Sequence, residues 1–509
     1  MKFSPGPVHI TWLAILAGCL LPFSLAPANI QIFAFISIAG LYLLLEASRS
    51  IIRARPGFAF LFGWLFGLGK YGVGASWVYV SIHVYGNASA WLAAMLVALF
   101  VMGMSLFEGL WSWCYLRYLR PDSKQGFTPL IFAGSRLFLE WMLTWIFSGF
   151  PWLFVGYSQL DAPLASLIPL AGILGAGFAF TFGCVYLVQC IVDKSAARLR
   201  LVFGVLALAP WILALVLGGQ SWVKQGKEYS VALVQGNVDQ ATKWQQDSVL
   251  PIIKNYQTLS APYWDVDLMI WPEAAITVFH HQAGGLIEQL EKDLKGTLVL
   301  GIPAIEPGRT GTPAFQNTAI AIGAGEGKYV KRRLVPFGEY VPFESALRGL
   351  IRFFNLPMSR SAAGNEFQPY LRTPELNMAM AICYEIAYPE LVRREGANAD
   401  VLLTISNDTW FGDSIGPDQH LQIARARALE LGRYLLRATN NGFTAVVNEK
   451  GKVEAILPQF EAGVLRSRFY ASIGQTPYGH YGDTPLLVLV LFVLGTAVIF
   501  RFQSRHRSV

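Results

Sequence analysis

Eight runs of about 20 apolar residues divide this 509-residue chain, and a helix of about that length crosses the hydrocarbon core of a bilayer. They lie near 8–26, 29–47, 57–80, 89–116, 127–148, 163–192, 199–219 and 485–503. The last starts well: Asp483 and Thr484 are capping types, and Pro485 suits a first helical turn. Only 14% of the chain is charged, against about a quarter in a soluble globular chain, and mean hydropathy is +0.42. Disorder is excluded, and a wholly soluble fold is disfavoured.

The formal net charge of +7 is unevenly placed. Residues 220–484 contain 25 Lys+Arg and 27 Asp+Glu; the remainder contains 15 and 6. A basic chain would ordinarily point to nucleic acid, but here the soluble-looking segment is mildly acidic, which removes that reading. The positive charge belongs to alternate loops of the apolar part: Lys2; Arg49, Arg53 and Arg55; Arg117, Arg120 and Lys124; Lys194, Arg198 and Arg200; Arg501, Arg505 and Arg507. The intervening loops near 26–29, 81–88 and 149–163 have no Lys or Arg. With eight spans every basic loop falls on one side, the cytoplasmic one by the positive-inside rule. The expected organisation is a polytopic α-helical membrane domain of seven helices over 1–219, an extracytoplasmic domain over 220–484, and an eighth helix with a cytoplasmic tail over 485–509.

Three features of the membrane part imitate functional motifs. Leu16-Ala17-Gly18-Cys19 looks like a lipoprotein cleavage box, but Leu20, Leu21 and Pro22 continue the apolar run, so a retained first helix is expected. Gly67, Gly69 and Gly72 fit the GxGxxG dinucleotide spacing, yet they lie inside an apolar run; close helix packing is their expected use. Lys70, Arg136 and Glu140 fall at membrane depth. Arg136 and Glu140, spaced i,i+4, are expected to neutralise each other, with lipid-headgroup contact as the functional alternative.

From residue 231 the pattern changes. Short β-rich runs recur at 231–234, 268–271, 297–301, 318–322, 329–334, 378–382, 401–405 and 444–447, with helical patterns such as 285–295 and 420–433 between some of them. That alternation predicts a layered α/β domain. Residues 317–323 and 328–334 read as a hairpin, as do 444–448 and 452–457 around Lys450-Gly451.

Cys19, Cys114, Cys184 and Cys190 fall in the apolar runs, and Cys383 alone lies outside them. Without a partner in its domain it cannot form an internal disulfide. His280 and His281 are adjacent, and no second thiol or spaced His completes a zinc set. Cys383 is then either an inert buried thiol or a nucleophile. It follows the apolar strand 378–382, and strand ends of α/β sheets are where sites collect. Glu273 follows another strand, and Lys331 lies in the second arm of the first hairpin. A carboxylate, an ammonium and a thiol can supply base, electrophile and nucleophile for acyl transfer.

WPE at 271–273, KRRLVPFGEYVP at 331–342 and CYE at 383–385 resemble the Glu-Lys-Cys set of the nitrilase superfamily, with intervals of 58 and 52 residues. With eight apolar runs around them, and with LVQGN at 233–237 and SNDTWFG at 406–412, the whole chain resembles the apolipoprotein N-acyltransferase family, a bacterial inner-membrane branch of that superfamily. The resemblance implies an αββα sandwich facing the periplasm, with both termini cytoplasmic. It implies ping-pong transfer of a fatty acyl chain through a cysteine thioester, from a phospholipid, usually phosphatidylethanolamine, to the lipidated N-terminal cysteine of an apolipoprotein. No metal or soluble cofactor is implied. By matching position, Glu273 is the general base, Lys331 stabilises the tetrahedral intermediate and Cys383 is the nucleophile. The backbone N–H of Tyr384 is a second oxyanion donor, Glu339 orients Lys331 or the base, and Trp244 lies near the substrate. Glu385 also matches, without an assigned role. A plain salt bridge is the alternative for Glu339 and Glu385, and core packing for Trp244.

Both substrates carry long acyl chains, so the site is expected to open toward the membrane. Leu347, Leu350, Ile351 and Phe354 recur at helical spacing beside Arg348 and Arg352. This stripe suits a core-packed helix or an interfacial lid dipping into headgroups. Two other functions compete: a membrane-anchored amidase or nitrilase in which water resolves the thioester, and a non-enzymatic transporter or lipid scaffold. The matched halves and broken helix pairs of transporters are not evident.

Overall fold

A computed structural model describes residues 7–121, 125–193, 196–307, 313–340 and 361–506. Contacts divide the chain into two units, one from residues 1–79, 89–220 and 481–509 and the other from residues 80–88 and 221–480.

The first unit is helical. Ala90–Leu119, Pro163–Val192, Ala197–Leu217 and Thr484–Arg501 are long and apolar enough to cross a membrane. Gly57–Gly74 qualifies only together with Trp77–Tyr85 across a sharp break, and His9–Ser24 and Ile32–Ala47 are apolar but shorter. The run at 127–148 is α-helical only over Thr128–Met142; the short 3-10 turn Ile146–Ser148 beyond it is interrupted at Phe147, whose φ is 50°.

The expected Arg136–Glu140 pair is replaced by a network across helices. Lys70 Nζ lies 3.1 Å from one oxygen of Glu108, Arg136 is paired with the other, and Glu140 accepts from the backbone N–H of Val155 at 3.1 Å. Spacing along one helix cannot reveal a carboxylate on another. Close packing does explain two of the three glycines: a Cβ on Gly69 would lie 2.2 Å from the carbonyl oxygen of Ile15, and one on Gly67 2.8 Å from Ser105. Gly72 has open space beside it.

The second unit is a sandwich of two six-stranded sheets. The strands are β1 (Lys224–Gln235), β2 (Leu268–Ile270), β3 (Thr297–Pro307), β4 (Pro313–Gly323), β5 (Lys328–Val330), β6 (Leu371–Arg372), β7 (Asn377–Ile382), β8 (Val401–Ser406), β9 (Leu435–Thr439), β10 (Thr444–Val447), β11 (Val453–Leu457) and β12 (Gly463–Ile473). One sheet has the order β12-β1-β2-β3-β4-β5, the other β11-β10-β9-β8-β7-β6. Each is built on a central parallel trio, β1-β2-β3 and β7-β8-β9, flanked by antiparallel strands.

The period-2 geometry of the strands sorts their apolar residues into two layers. Val231, Leu233, Leu268, Ile270 and Val299 face Met378, Met380, Ile382, Leu403 and Ile405 between the sheets. Ala232, Val234, Met269, Trp271, Leu298 and Leu300 point the other way, onto Ile252, Tyr256 and Leu290 of the helices Val249–Ser260 and Gly284–Asp293. The helices Pro389–Gly396 and Gly416–Leu431 cover the second sheet, where a Cβ on Gly396 would meet Leu402 and Leu431. Each fully buried Leu, Ile or Val contributes about 1.5–3 kcal/mol, enough to fix strand register.

In the helical unit, Glu108→Ala would leave Lys70 and Arg136 buried without their shared counter-charge. Breaking a buried pair costs about 3–5 kcal/mol, so the melting midpoint of the detergent-purified protein should fall by roughly 5–15 °C. An unchanged midpoint by scanning fluorimetry would show that the network is not holding these helices.

Candidate active site

The sandwich brings the carboxyl ends of its central strands to one place, where the chain leaves the ladder and side chains are free to converge. β2 runs out through Trp271 and Pro272 to Glu273, β7 ends directly before Cys383, and β8 ends directly before Asn407. Lys331 arrives from the edge. The expected hairpin arm 328–334 stops at Val330: Lys331 N–H still donates to Asn317 O of β4, but its carbonyl leaves the ladder and accepts from Gly364 N–H, each at 2.9 Å.

Lys331 is buried between two carboxylates, 2.9 Å from Glu339 Oε1 and 3.6 Å from Glu273 Oε1. Burial alone would lower its pKa, but Glu339 and then Glu273 outweigh that and hold it above the usual lysine range. Each carboxylate is itself anchored. The second oxygen of Glu339 accepts from Val335 N–H at 2.8 Å. Glu273 accepts from the Asn317 side chain on one oxygen and from Asn407 N–H at 2.8 Å on the other. Buried Lys243 donates to the main-chain oxygen of Glu273 at 3.3 Å, and its pKa is lowered by burial to about 8.

Cys383 is partly buried and takes a φ of 55°, in the left-handed region that a residue with a Cβ enters at a cost of about 1–3 kcal/mol. The turn is clamped by Glu385. One oxygen of Glu385 accepts from Ile382 N–H at 2.8 Å and from Tyr329 O–H at 2.9 Å; the other accepts from Arg332 N–H at 2.7 Å and Arg333 N–H at 3.0 Å. One carboxylate thus ties the backbone beside Cys383 to the backbone beside Lys331. This is more than the plain salt bridge held open for it, and its neighbour Arg332 pairs instead with Glu395.

Burial, reinforced by Glu273, pushes the Cys383 thiol up to about 12, with Lys331 opposing. At neutral pH the group is a thiol, so the arrangement suits a nucleophile deprotonated by a neighbouring base as it attacks, with a permanent ammonium beside the developing oxyanion.

The other motif residues join the rim. Asn237 N–H donates to Asn440 O at 2.7 Å, and the Asn440 side chain donates to Asn407 Oδ1 at 3.2 Å, which links the LVQGN and SNDTWFG segments across the sheets. Residues 80–88 belong to the same unit: Ser81 Oγ donates to Trp410 O at 2.7 Å, and the Tyr85 ring sits edge-on to Trp410. Tyr384 is buried, edge-on to Tyr388. Trp244 is 38% exposed and edge-on to Phe315, so it is not core packing. Leu347, Leu350, Ile351 and Phe354 lie outside the described residues.

Sequence reasoning missed Asn317, Lys243, Asn407, Asp408, His420 and Arg437. Asn317 left a trace, an amide on an otherwise apolar strand face. Asn407 and Asp408 lie within the SNDTWFG motif but carried no individual role there, and His420 and Arg437 left no trace, since the Asp408 and Cys383 groups they meet are far along the chain. Asp408 accepts from Arg437 and from Ser406 Oγ, each at 2.5 Å. Burial would raise its carboxyl, but Arg437 and then His420 hold it below the usual range.

Two outcomes are expected. Glu385→Gln places an amide N–H against backbone donors, so activity should fall by about 10²-fold while the protein stays folded; near-normal activity would remove the clamp. Alkylation of the Cys383 peptide by iodoacetamide, followed by mass spectrometry, should accelerate from about pH 7 to pH 10 without levelling, because the raised pKa delays the thiolate. A plateau by about pH 8 would reveal a preformed thiolate instead.

Residues 230–478 match the carbon-nitrogen hydrolase family model, and residues 17–186 match the apolipoprotein N-acyltransferase N-terminal domain. The chain is 42% identical over 494 residues to the apolipoprotein N-acyltransferase of Pseudomonas syringae pv. tomato, covering 96% of each chain. It is 42% identical over 503 residues to that of Pseudomonas aeruginosa (98% of this chain, 97% of the other). To that of Vibrio vulnificus it is 38% identical over 504 residues (95% and 96%). The chain belongs to the apolipoprotein N-acyltransferase family, with a nitrilase-like carbon-nitrogen hydrolase domain as its α/β part.

Proposed function

We propose that this protein moves a fatty acyl chain from a membrane phospholipid to the α-amino group of the lipidated N-terminal cysteine of apolipoproteins, completing lipoprotein maturation. The observation that carries this is 42% identity to enzymes of that name over 96% of both chains. Phosphatidylethanolamine is the proposed donor.

Glu273 takes the Sγ proton as Cys383 attacks the donor's ester carbonyl. Lys331 and the Tyr384 N–H hold the oxyanion. Collapse breaks the ester C–O bond, Glu273 returns the proton to the departing alkoxide, and a thioester remains on Cys383. The acceptor amine then attacks that thioester and gives its proton to Glu273. The C–S bond breaks, and the proton goes back to the Cys383 sulfur. Glu273 ends each half as it began, which is why one base serves both. The Lys331–Glu339 distance of 2.9 Å supports a role for Glu339 in aiming the ammonium. Exposed Trp244 and the stripe at Leu347, Leu350, Ile351 and Phe354 are proposed to meet the lipid substrates.

We further propose eight spans in the bacterial inner membrane, seven in residues 1–219 and one in 485–509. Both termini are cytoplasmic and residues 220–484 periplasmic. The one-sided placement of Lys and Arg supports this topology.

Purified protein incubated with phosphatidylethanolamine alone should gain one acyl mass on the Cys383 peptide, and a diacylglyceryl-cysteine peptide should then discharge it. Cys383→Ala should do neither. Discharge by water as fast as by the lipid amine would turn the reading into an amidase, and active protein with an unmodified Cys383 would remove the ping-pong route.

A further inference from the structure

His420 has no part in the steps just given, yet its ring faces the backbone of the nucleophile. It lies in the helix Gly416–Leu431, fully buried, with Nε2 3.2 Å from the carbonyl oxygen of Cys383. Nδ1 lies 3.0 Å from Asp408 Oδ1 and 3.1 Å from an Arg437 guanidinium nitrogen. Arg437 is buried as well, and donates both to Asp408 at 2.5 Å and to Phe443 O at 3.1 Å.

The protonation of the ring follows from its partners. A carbonyl oxygen only accepts, so the contact with Cys383 requires the proton on Nε2. If Arg437 donates to Nδ1, the ring is the neutral Nε2–H tautomer; if Nδ1–H donates to Asp408, it is the imidazolium. Burial, then Arg437, lower the pKa of the ring against Asp408, which favours the neutral form. Both forms donate to Cys383.

That carbonyl shares its peptide group with the N–H of Tyr384, the proposed oxyanion donor. A peptide is planar and trans, so fixing its C=O fixes the direction of its N–H on the opposite side. A hydrogen bond accepted at the C=O also polarises the amide and strengthens its N–H as a donor, by ~10–30%. The need for such a hold is local: Cys383, at a φ of 55°, occupies a backbone region that is costly for a residue with a Cβ and persists only where its surroundings hold it.

We infer that His420, oriented by Asp408 and Arg437, is a positioning residue that locks and polarises the Cys383–Tyr384 peptide and so sets the oxyanion donor used in both half-reactions. The inference rests on the acyl-transfer function proposed for this site.

The test compares His420→Leu and His420→Gln with the parent, as full-length protein in detergent with labelled phosphatidylethanolamine. Gln places an amide N–H as many bonds from Cβ as Nε2 is, without the ring. In His420→Leu, thioester formation and its discharge by the lipid amine should both slow, by roughly 10- to 100-fold and by similar factors. The burst amplitude, which counts competent sites, and the half-saturating donor concentration should not move. His420→Gln should recover to within about threefold of the parent, since it restores the donated hydrogen bond. Parent-like rates per competent site in His420→Leu would overturn the inference, as would His420→Gln as slow as His420→Leu, or a loss confined to burst amplitude. A parent chain that forms no thioester would overturn the acyl-transfer function and this inference with it.

Discussion

A buried ammonium needs opposite charge within a few ångströms, and at Lys331 that need organises the site. The cation sits between Glu339 at 2.9 Å and Glu273 at 3.6 Å, and neither carboxylate is free to follow it elsewhere. Glu273, the proposed base, is fixed by Asn317 on β4 and by the backbone of Asn407 just past β8, so it is aimed from both sheets. Glu339 is fixed by Val335 N–H, within the segment that carries Lys331. The cation stays charged because two anions oppose its burial, and each anion tolerates its own burial because the cation is there.

Cys383, the proposed nucleophile, is held on the same principle by backbone rather than by charge. Its left-handed turn is unfavourable alone, and Glu385 offsets that by gathering four hydrogen bonds from two separate segments. His420 adds a further contact from the opposite side of the peptide. The segments that present Lys331 and Cys383 therefore cannot drift apart without unsatisfying Glu385, so the spacing of the proposed electrophile and nucleophile is set by a third residue.

Much of this was legible in advance. Short β-rich, continuously apolar runs located β2, β7 and β8, and the chain leaving those strands carries Glu273, Cys383 and Asn407 into the site. β9 and β12 were not read: β9 follows a helix after only a few residues, and β12 mixes charge with apolar residues because one face is exposed. Lys331 was placed in a strand because the run 329–334 is β-rich; its N–H still meets β4 at Asn317, but its carbonyl turns to Gly364 and the ladder ends there. The Arg136–Glu140 pair failed for a related reason, since helical spacing permits a contact without excluding a better partner on another helix.

Composition and order along the chain determined that this protein has an apolar helical part and an acidic α/β part, and which carboxylate, amine and thiol could form a site. Those are local properties, written in apolar periodicity and in residue type. The tertiary structure alone decided that Glu385 is a clamp rather than an ion pair, that Asn317 and Asn407 aim Glu273, and that the His420 ring meets the carbonyl of Cys383. Each of these is a hydrogen bond between positions tens of residues apart: those of Glu385 and Asn407 form only once the two sheets have packed face to face, and those of Asn317 and His420 only once distant strands and a helix have assembled into one layer.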